Sequence, residues 1–125
     1  MTKMEDSIFH KFATGEIKPS TQIRYEDEEM LAFDDLHPAT PTHVLIIPKS
    51  PLESIAQMEV ADSHLVGKMI YRAKLIAEEL GLASNGYRIT INVGKWGGQV
   101  VPYLHVHLLG GTQMHGNLKQ FSKDE

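Results

Sequence analysis

Cysteine is missing from the 125 residues. Its absence removes disulfides, thiolate nucleophiles and thiolate metal ligands, leaves imidazole and carboxylate as the remaining metal ligands, and agrees with a reducing compartment. Long hydrophobic runs are missing too. No stretch approaches the roughly 20 apolar residues that cross a bilayer, and the opening Met1-Thr2-Lys3-Met4-Glu5-Asp6 leads into no signal-peptide core. A cytoplasmic protein with no membrane partner is expected. Positive charge is in short supply, with 12 Lys and Arg against 16 Asp and Glu and a formal net charge of -4. That balance argues against a broad footprint on a phosphate backbone, and so against a nucleic acid polymer as partner. Internal repeats, linkers and low-complexity segments are absent, so residues 1–125 read as a single domain, long enough to bury a core without metal or disulfide staples.

What is present alternates between helix and strand signals. Asp6 or Ser7 can cap a short helix through Ile8, Phe9, Phe12 and Ala13, with Gly15 as its stop. Thr21 to Glu26 and Met30 to Asp34 read as a hairpin across the acidic turn Asp27-Glu28-Glu29. His43 to Pro48 is a nearly continuous apolar run, the pattern of a buried strand. Asp62 or Ser63 starts the longest helix, which runs to about Leu80 and stops at Gly81. Its apolar stripe contains Leu65, Val66, Met69, Ile70, Ile76, Ala77 and Leu80. Tyr87 to Val93 and Leu104 to Leu109 complete the strands. Two helices, about five strands and hairpin connections predict an α+β domain: an antiparallel sheet with the long helix on one face.

The segment Val101-Pro102-Tyr103-Leu104-His105-Val106-His107-Leu108-Leu109-Gly110-Gly111 carries the chemistry. In an extended chain Tyr103, His105 and His107 share one face while Leu104, Val106 and Leu108 take the other. Two imidazoles about 6.6 Å apart along a strand can grip one small charged group, a phosphate or a metal ion. The glycines of the loop Gly94 to Gln99 let backbone N–H groups approach an anion closely, and Gln99 adds a side-chain amide.

In this order along the chain, Ile8-Phe9, Gly15-Glu16-Ile17, Tyr25-Glu26-Asp27, Leu31-Ala32-Phe33, Asp35-Leu36, Ala39-Thr40-Pro41-Thr42-His43, Ile47-Pro48-Lys49, Asn92, Gly97-Gly98-Gln99 and Leu104-His105-Val106-His107-Leu108-Leu109-Gly110-Gly111 form a pattern. It resembles the histidine triad (HIT) superfamily and, within it, the Hint branch of nucleoside phosphoramidate hydrolases. The resemblance covers nearly the whole chain. It implies a HIT-like fold with a five-stranded antiparallel sheet, one long and one short helix, and sheets joined edge to edge in a homodimer. It also implies hydrolysis of purine nucleoside 5′-phosphoramidates at the α-phosphate through a nucleotidyl-histidine intermediate, with no cofactor and no metal.

On this resemblance His105 is the nucleophile, its other ring nitrogen held by a backbone carbonyl near Tyr103, and His107 donates to a non-bridging phosphate oxygen. Tyr103 stands at the first triad position, where the family has histidine; its phenol can donate a hydrogen bond but cannot shuttle protons near neutrality. Val100 stands where the branch often has serine, so help for the leaving group falls to Gln99 or water, and Lys95 and Trp96 are candidates for selecting that group. The tail Met114-His115-Gly116-Asn117 lacks the tryptophan of some relatives. Ile8, Phe9, Phe12, Ile17, Phe33 and Leu36 form the expected slot for a base, and Asp35, with Asp34 as competitor, binds the ribose hydroxyls. Asn92, Gly98, Gln99 and Val100 serve ribose or phosphate, and His43 supports the histidine face. Three alternatives stay open: a dinucleoside polyphosphate hydrolase, a non-catalytic nucleotide-binding dimer, and a metal-binding protein using His43, His105 and His107.

Overall fold

Ser7 begins the first helix, α1 (Ile8–Thr14), and its hydroxyl accepts from the His10 N–H at 3.1 Å, which answers one of the orphan donors of the first turn. Gly15 ends α1 at φ 85°, a conformation that only glycine adopts without strain. The computed structural model describes residues 3–116; Asn117 of the tail segment lies outside them. Five strands follow α1 in one sheet: β1 (Ile23–Glu26), β2 (Met30–Asp34), β3 (Thr42–Pro48), β4 (Arg88–Thr90) and β5 (Val106–Gly110). Their order is β1-β2-β3-β5-β4, and every neighbouring pair is antiparallel. The α+β architecture with one long and one short helix is therefore as expected.

The long helix, α2 (Ser63–Glu79), crosses one face of this sheet. Asp62 does not cap it: its carboxylate turns back to accept from the Glu59 N–H at 2.8 Å, and α2 continues from a short 3-10 turn at Val60–Asp62. Val66, Met69, Ala73, Ile76 and Ala77 of α2 pack on Val44 and Ile46 of β3 and on Val106 and Leu108 of β5. Ile70, assigned to the stripe by its spacing, is 40% exposed, because the buried arc is narrower than the apolar one. Phe9 and Ala13 of α1 cover the opposite face, over Leu31, Phe33, Leu45, Ile47 and Tyr103. Alternation along β3 thus feeds two cores, Val44 and Ile46 to one and Leu45 and Ile47 to the other, as a strand covered on both faces requires.

Three strands are shorter than their sequence patterns, β1 beginning only at Ile23. β4 ends at Thr90 because its partner runs out: Thr90 pairs with His107 and the β3–β5 ladder begins at Val106. Leu104 lies before that ladder, and its N–H donates to the Leu52 carbonyl at 2.8 Å instead. His105 therefore stands on a segment leading into β5 rather than within the sheet.

Candidate functional site

A cleft of about 490 Å³ opens on the α1 side of the sheet. Its apolar wall comes from Ile8, Phe9 and Phe12 of α1 with Phe33, Leu36 and Leu45, and its polar end from Asp35, Asn92, Gly98, His105 and His107. Phe9, Phe12 and Phe33 meet edge-on or stacked, with centroids 5.2 to 6.1 Å apart. Such a wall offers aromatic surface to a flat ring. The expected slot is thus assembled except for Ile17, which is 40% exposed and does not line the cleft.

The histidines are the centre of the site, and their ring nitrogens are sorted by their neighbours. His105 is 7% exposed, stands edge-on to Phe9 at 5.1 Å, and its Nδ1 lies 2.7 Å from the Tyr103 carbonyl oxygen. A carbonyl can only accept, so Nδ1 carries the proton and Nε2 keeps its lone pair. The His107 ring follows at 4.8 Å. Its Nδ1 is 2.9 Å from His43 Nε2, and His43 Nδ1 accepts from the Ala39 N–H at 3.0 Å. With its Nδ1 lone pair used, neutral His43 carries its proton on Nε2 and donates to His107, which places the His107 proton on Nε2. That Nε2 is buried and has no hydrogen-bond partner among the described residues. The cleft therefore contains one imidazole with a free lone pair and one with a free N–H.

Burial keeps these rings neutral. It pulls His105 below its ordinary pKa, against the raising effects of the Tyr103 carbonyl and of Asp35. Burial also lowers His107, aided by the neighbouring charges of His105 and His43, to about 4. His43 is lowered by burial and partly restored by Asp35. Asp35 itself is anchored beside His43: its backbone N–H donates to the His43 carbonyl at 2.9 Å, and its Oδ1 accepts from the His37 N–H at 2.8 Å. Asp34, its competitor, is occupied by a two-pronged pair with Arg24 at 2.8 Å on each prong.

Two predicted site residues are placed otherwise. Tyr103 shares the histidine face, as alternation requires, but lines the core and not the cleft. It is 0% exposed, its hydroxyl donates to the Pro48 carbonyl at 2.5 Å, and burial pushes the phenol up to about 12. Its contribution at the site is the carbonyl that holds His105. Gln99 also stays outside the cleft, because its side chain closes its own loop: Oε1 accepts from the Gly94 N–H at 3.0 Å, while Nε2 donates to the Glu53 carbonyl at 2.7 Å and the Val101 carbonyl at 3.1 Å. Gly98 and Val100 do line the cleft. Gly97, between Lys95 and Gln99, has no room for a side chain, since a Cβ would lie 2.2 Å from the Val93 carbonyl oxygen. Lys95 and Trp96 are exposed on this loop and are not part of the cleft wall.

Pro19, Ser20, Thr21, His37, Leu45 and Val101 also line the cleft and were not singled out in the sequence. Leu45 alone had a usable signal, since it alternates with Val44 and Ile46 and pairs with His107 across β3–β5. The others sit on loops, where no period reports direction.

The HIT domain family model matches residues 16–114. A 14 kDa zinc-binding protein from Zea mays is 46% identical over 119 residues, covering 92% of this chain and 91% of that protein. The adenylylsulfatase HINT1 of Arabidopsis thaliana is 44% identical over 111 residues, covering 87% of this chain and 74% of that one. Among solved structures, a HIT family hydrolase from Legionella pneumophila Philadelphia 1 superposes with a TM-score of 0.83 at 44% identity, over 88% of this chain and 96% of that one.

Proposed function

Since the chain belongs to the HIT domain family, we propose that it hydrolyses purine nucleoside 5′-phosphoramidates at the α-phosphorus through a nucleotidyl intermediate on His105. The observation that carries this reading is the opposite sorting of the two rings in one cleft. His105 has a free lone pair on Nε2, and His107 a free N–H on Nε2.

In the first step His105 Nε2 attacks phosphorus and the bond from phosphorus to the leaving nitrogen breaks. The His105 imidazolium that forms is stabilised through its Nδ1–H by the Tyr103 carbonyl. The His107 N–H donates to the non-bridging oxygen on which charge develops. Water then attacks phosphorus, breaks the bond from phosphorus to Nε2, and releases the nucleoside monophosphate with His105 restored. The base lies against Phe9, Phe12 and Phe33, the ribose hydroxyls meet Asp35, and Asn92 with the backbone at Gly98 faces the phosphate. A homodimer joined along the sheet is part of this proposal: among the described residues β4 stands at one end of the strand order, where a second copy would extend the sheet.

Val100 favours a second reading of the leaving group. It brings no hydroxyl to the cleft, and the amide of Gln99 is bound to its own loop, so an amine would have to take its proton from water. A sulfate or phosphate departs without one. On this reading mixed anhydrides of a nucleoside monophosphate are the better substrates, in line with the activity named for the Arabidopsis relative. A dinucleoside polyphosphate is one such case. Comparing kcat/KM for an adenylated amine and for adenylyl sulfate separates the two readings, and rapid-quench mass spectrometry seeking a nucleotidyl adduct on His105 tests the mechanism they share. Turnover of neither substrate, with nucleotide still bound, supports the remaining reading, a non-catalytic nucleotide-binding dimer.

Zinc, named for the maize relative, does not fit these residues. His43 and His107 point their nitrogens at each other, and the His105 Nδ1 is bound to a carbonyl. Among the described residues no group of three or more His, Cys, Asp or Glu is arranged to hold a metal ion.

A further inference from the structure

The wall of the cleft meets an anion with neutral donors and a carboxylate. Its titratable side chains among the described residues are Asp34, Asp35, His37, His105 and His107, and no lysine or arginine stands with them. Arg24 is committed to Asp34 by the two-pronged pair and lines a different cavity, so the pair adds no net charge. Lys95 is exposed on its loop, outside the wall. Burial lowers both histidines of the phosphate end, His107 to about 4, so both rings are neutral near pH 7. What remains for an anion there is the buried, unpartnered N–H of His107 and the amide of Asn92. The Asp35 charge is felt at all three rings, His43, His105 and His107. Neutral N–H donors suffice for one negative charge spread over two phosphate oxygens. A second charge, buried beside a carboxylate with no cation to answer it, costs far more than the same charge in water.

We propose that the cleft sorts phosphates by charge: it takes a nucleotide whose α-phosphate carries one negative charge, and takes the doubly charged nucleoside monophosphate only together with a proton. The inference rests on the nucleotide reading above and deepens it. In a phosphoramidate or a mixed anhydride the α-phosphate is singly charged. Hydrolysis replaces the leaving group by a hydroxyl, and the resulting monoester loses that proton with a pKa of about 6. Ionisation of the product thus drives its release, while the substrate, which has no such proton, stays bound at the same pH. The groups that face the phosphate are His105 and His107 on the segment into β5, His43 of β3 bonded to His107, the Arg24–Asp34 pair across β1 and β2, and Asp35 and the exposed His37 on the loop after β2.

The test measures binding to the full chain by calorimetry between about pH 6 and 9. The probes are adenosine 5′-monophosphate, its methyl phosphate ester, which keeps a single charge throughout, and adenosine as the uncharged reference. At each pH the ratio of the monophosphate Kd to the ester Kd cancels titration of the free protein. This ratio is expected to rise about tenfold per pH unit above the phosphate pKa, on the order of a hundredfold between pH 7 and 9. At pH 8 the binding heat of the monophosphate should vary with the ionisation enthalpy of the buffer, reporting proton uptake, and that of the ester should not. A ratio that changes by less than tenfold over those two units would overturn the proposal and leave the nucleotide reading standing. Binding of the ester no tighter than that of adenosine would do the same. If none of the three ligands binds, the nucleotide reading fails, and this proposal with it.

Discussion

The phenol of Tyr103 donates to the carbonyl of Pro48 at 2.5 Å inside the core, and so ties the segment that leads into the last strand to the far end of β3. Two residues further on, the imidazole of His105 is held by the carbonyl of the same tyrosine. One residue thus anchors the backbone with its side chain and orients His105, the proposed nucleophile, with its main chain. Tyr103→Phe is expected to lose about 1–3 kcal/mol of stability, the cost of an unmade buried hydrogen bond, as read by urea unfolding. Tyr103→His is expected to change turnover within about tenfold, or roughly 1.4 kcal/mol, because no atom of the phenol reaches the cleft. A thousandfold gain in rate would show instead that the phenol suppresses the chemistry.

His105→Ala removes the proposed nucleophile and leaves the apolar wall in place. Turnover of an adenylated amine should fall by about three orders of magnitude or more, while nucleotide affinity measured by calorimetry stays close to that of the parent. Equal rates for variant and parent would exclude a nucleotidyl-histidine intermediate on this residue.

The activity should resist mild acid. Only the neutral ring of His105 can attack, and burial holds its pKa below the ordinary 6.5. The midpoint of the acid limb of the kcat/KM profile is therefore expected below pH 6.5. Mid-acid loss centred at or above 6.5 would contradict the buried geometry.

Stability should follow the same sign. His107 is held at about 4 in the folded chain, against about 6.5 when unfolded. Between these values the unfolded chain binds the extra proton, so the contribution is fully present above pH 6.5 and is lost as pH falls toward 4. The expected loss is on the order of 3 kcal/mol, and His107→Gln should flatten that part of a urea-midpoint profile.

Chelator is a simple check on the donor geometry. With His43 and His107 bonded to each other, exhaustive treatment with EDTA should leave turnover and melting temperature unchanged. Loss of either, restored by added zinc, would mean that the rings rearrange around a metal.

Much of the site was legible before the fold was known, and for local reasons. The alternation through Leu104, His105, Val106 and His107 separates core from cleft whichever strands lie beside it, and the apolar run from Val44 to Ile47 has to be buried. Ser7 and Gly15 mark the ends of α1 by short-range hydrogen bonding and backbone freedom alone. The same local reasoning failed at Gln99 and Tyr103. Both polar groups found partners in segments far away in the chain, Glu53 and Pro48, and a residue pattern does not say which distant carbonyl a donor will meet.

The amino-acid sequence by itself determined the side chains and their sides: two imidazoles and a phenol on one alternating face, no thiol, and apolar residues enough for a wall. Tertiary structure decided what each ring can do. The register of β3 against β5 brings His43 to His107, and the turn at Leu36–Pro38 puts Asp35 beside them. A histidine offers a lone pair or a proton according to what its other nitrogen touches. Those contacts join segments that the fold brings together from far apart in the chain, so spacing along a strand sets direction but not protonation.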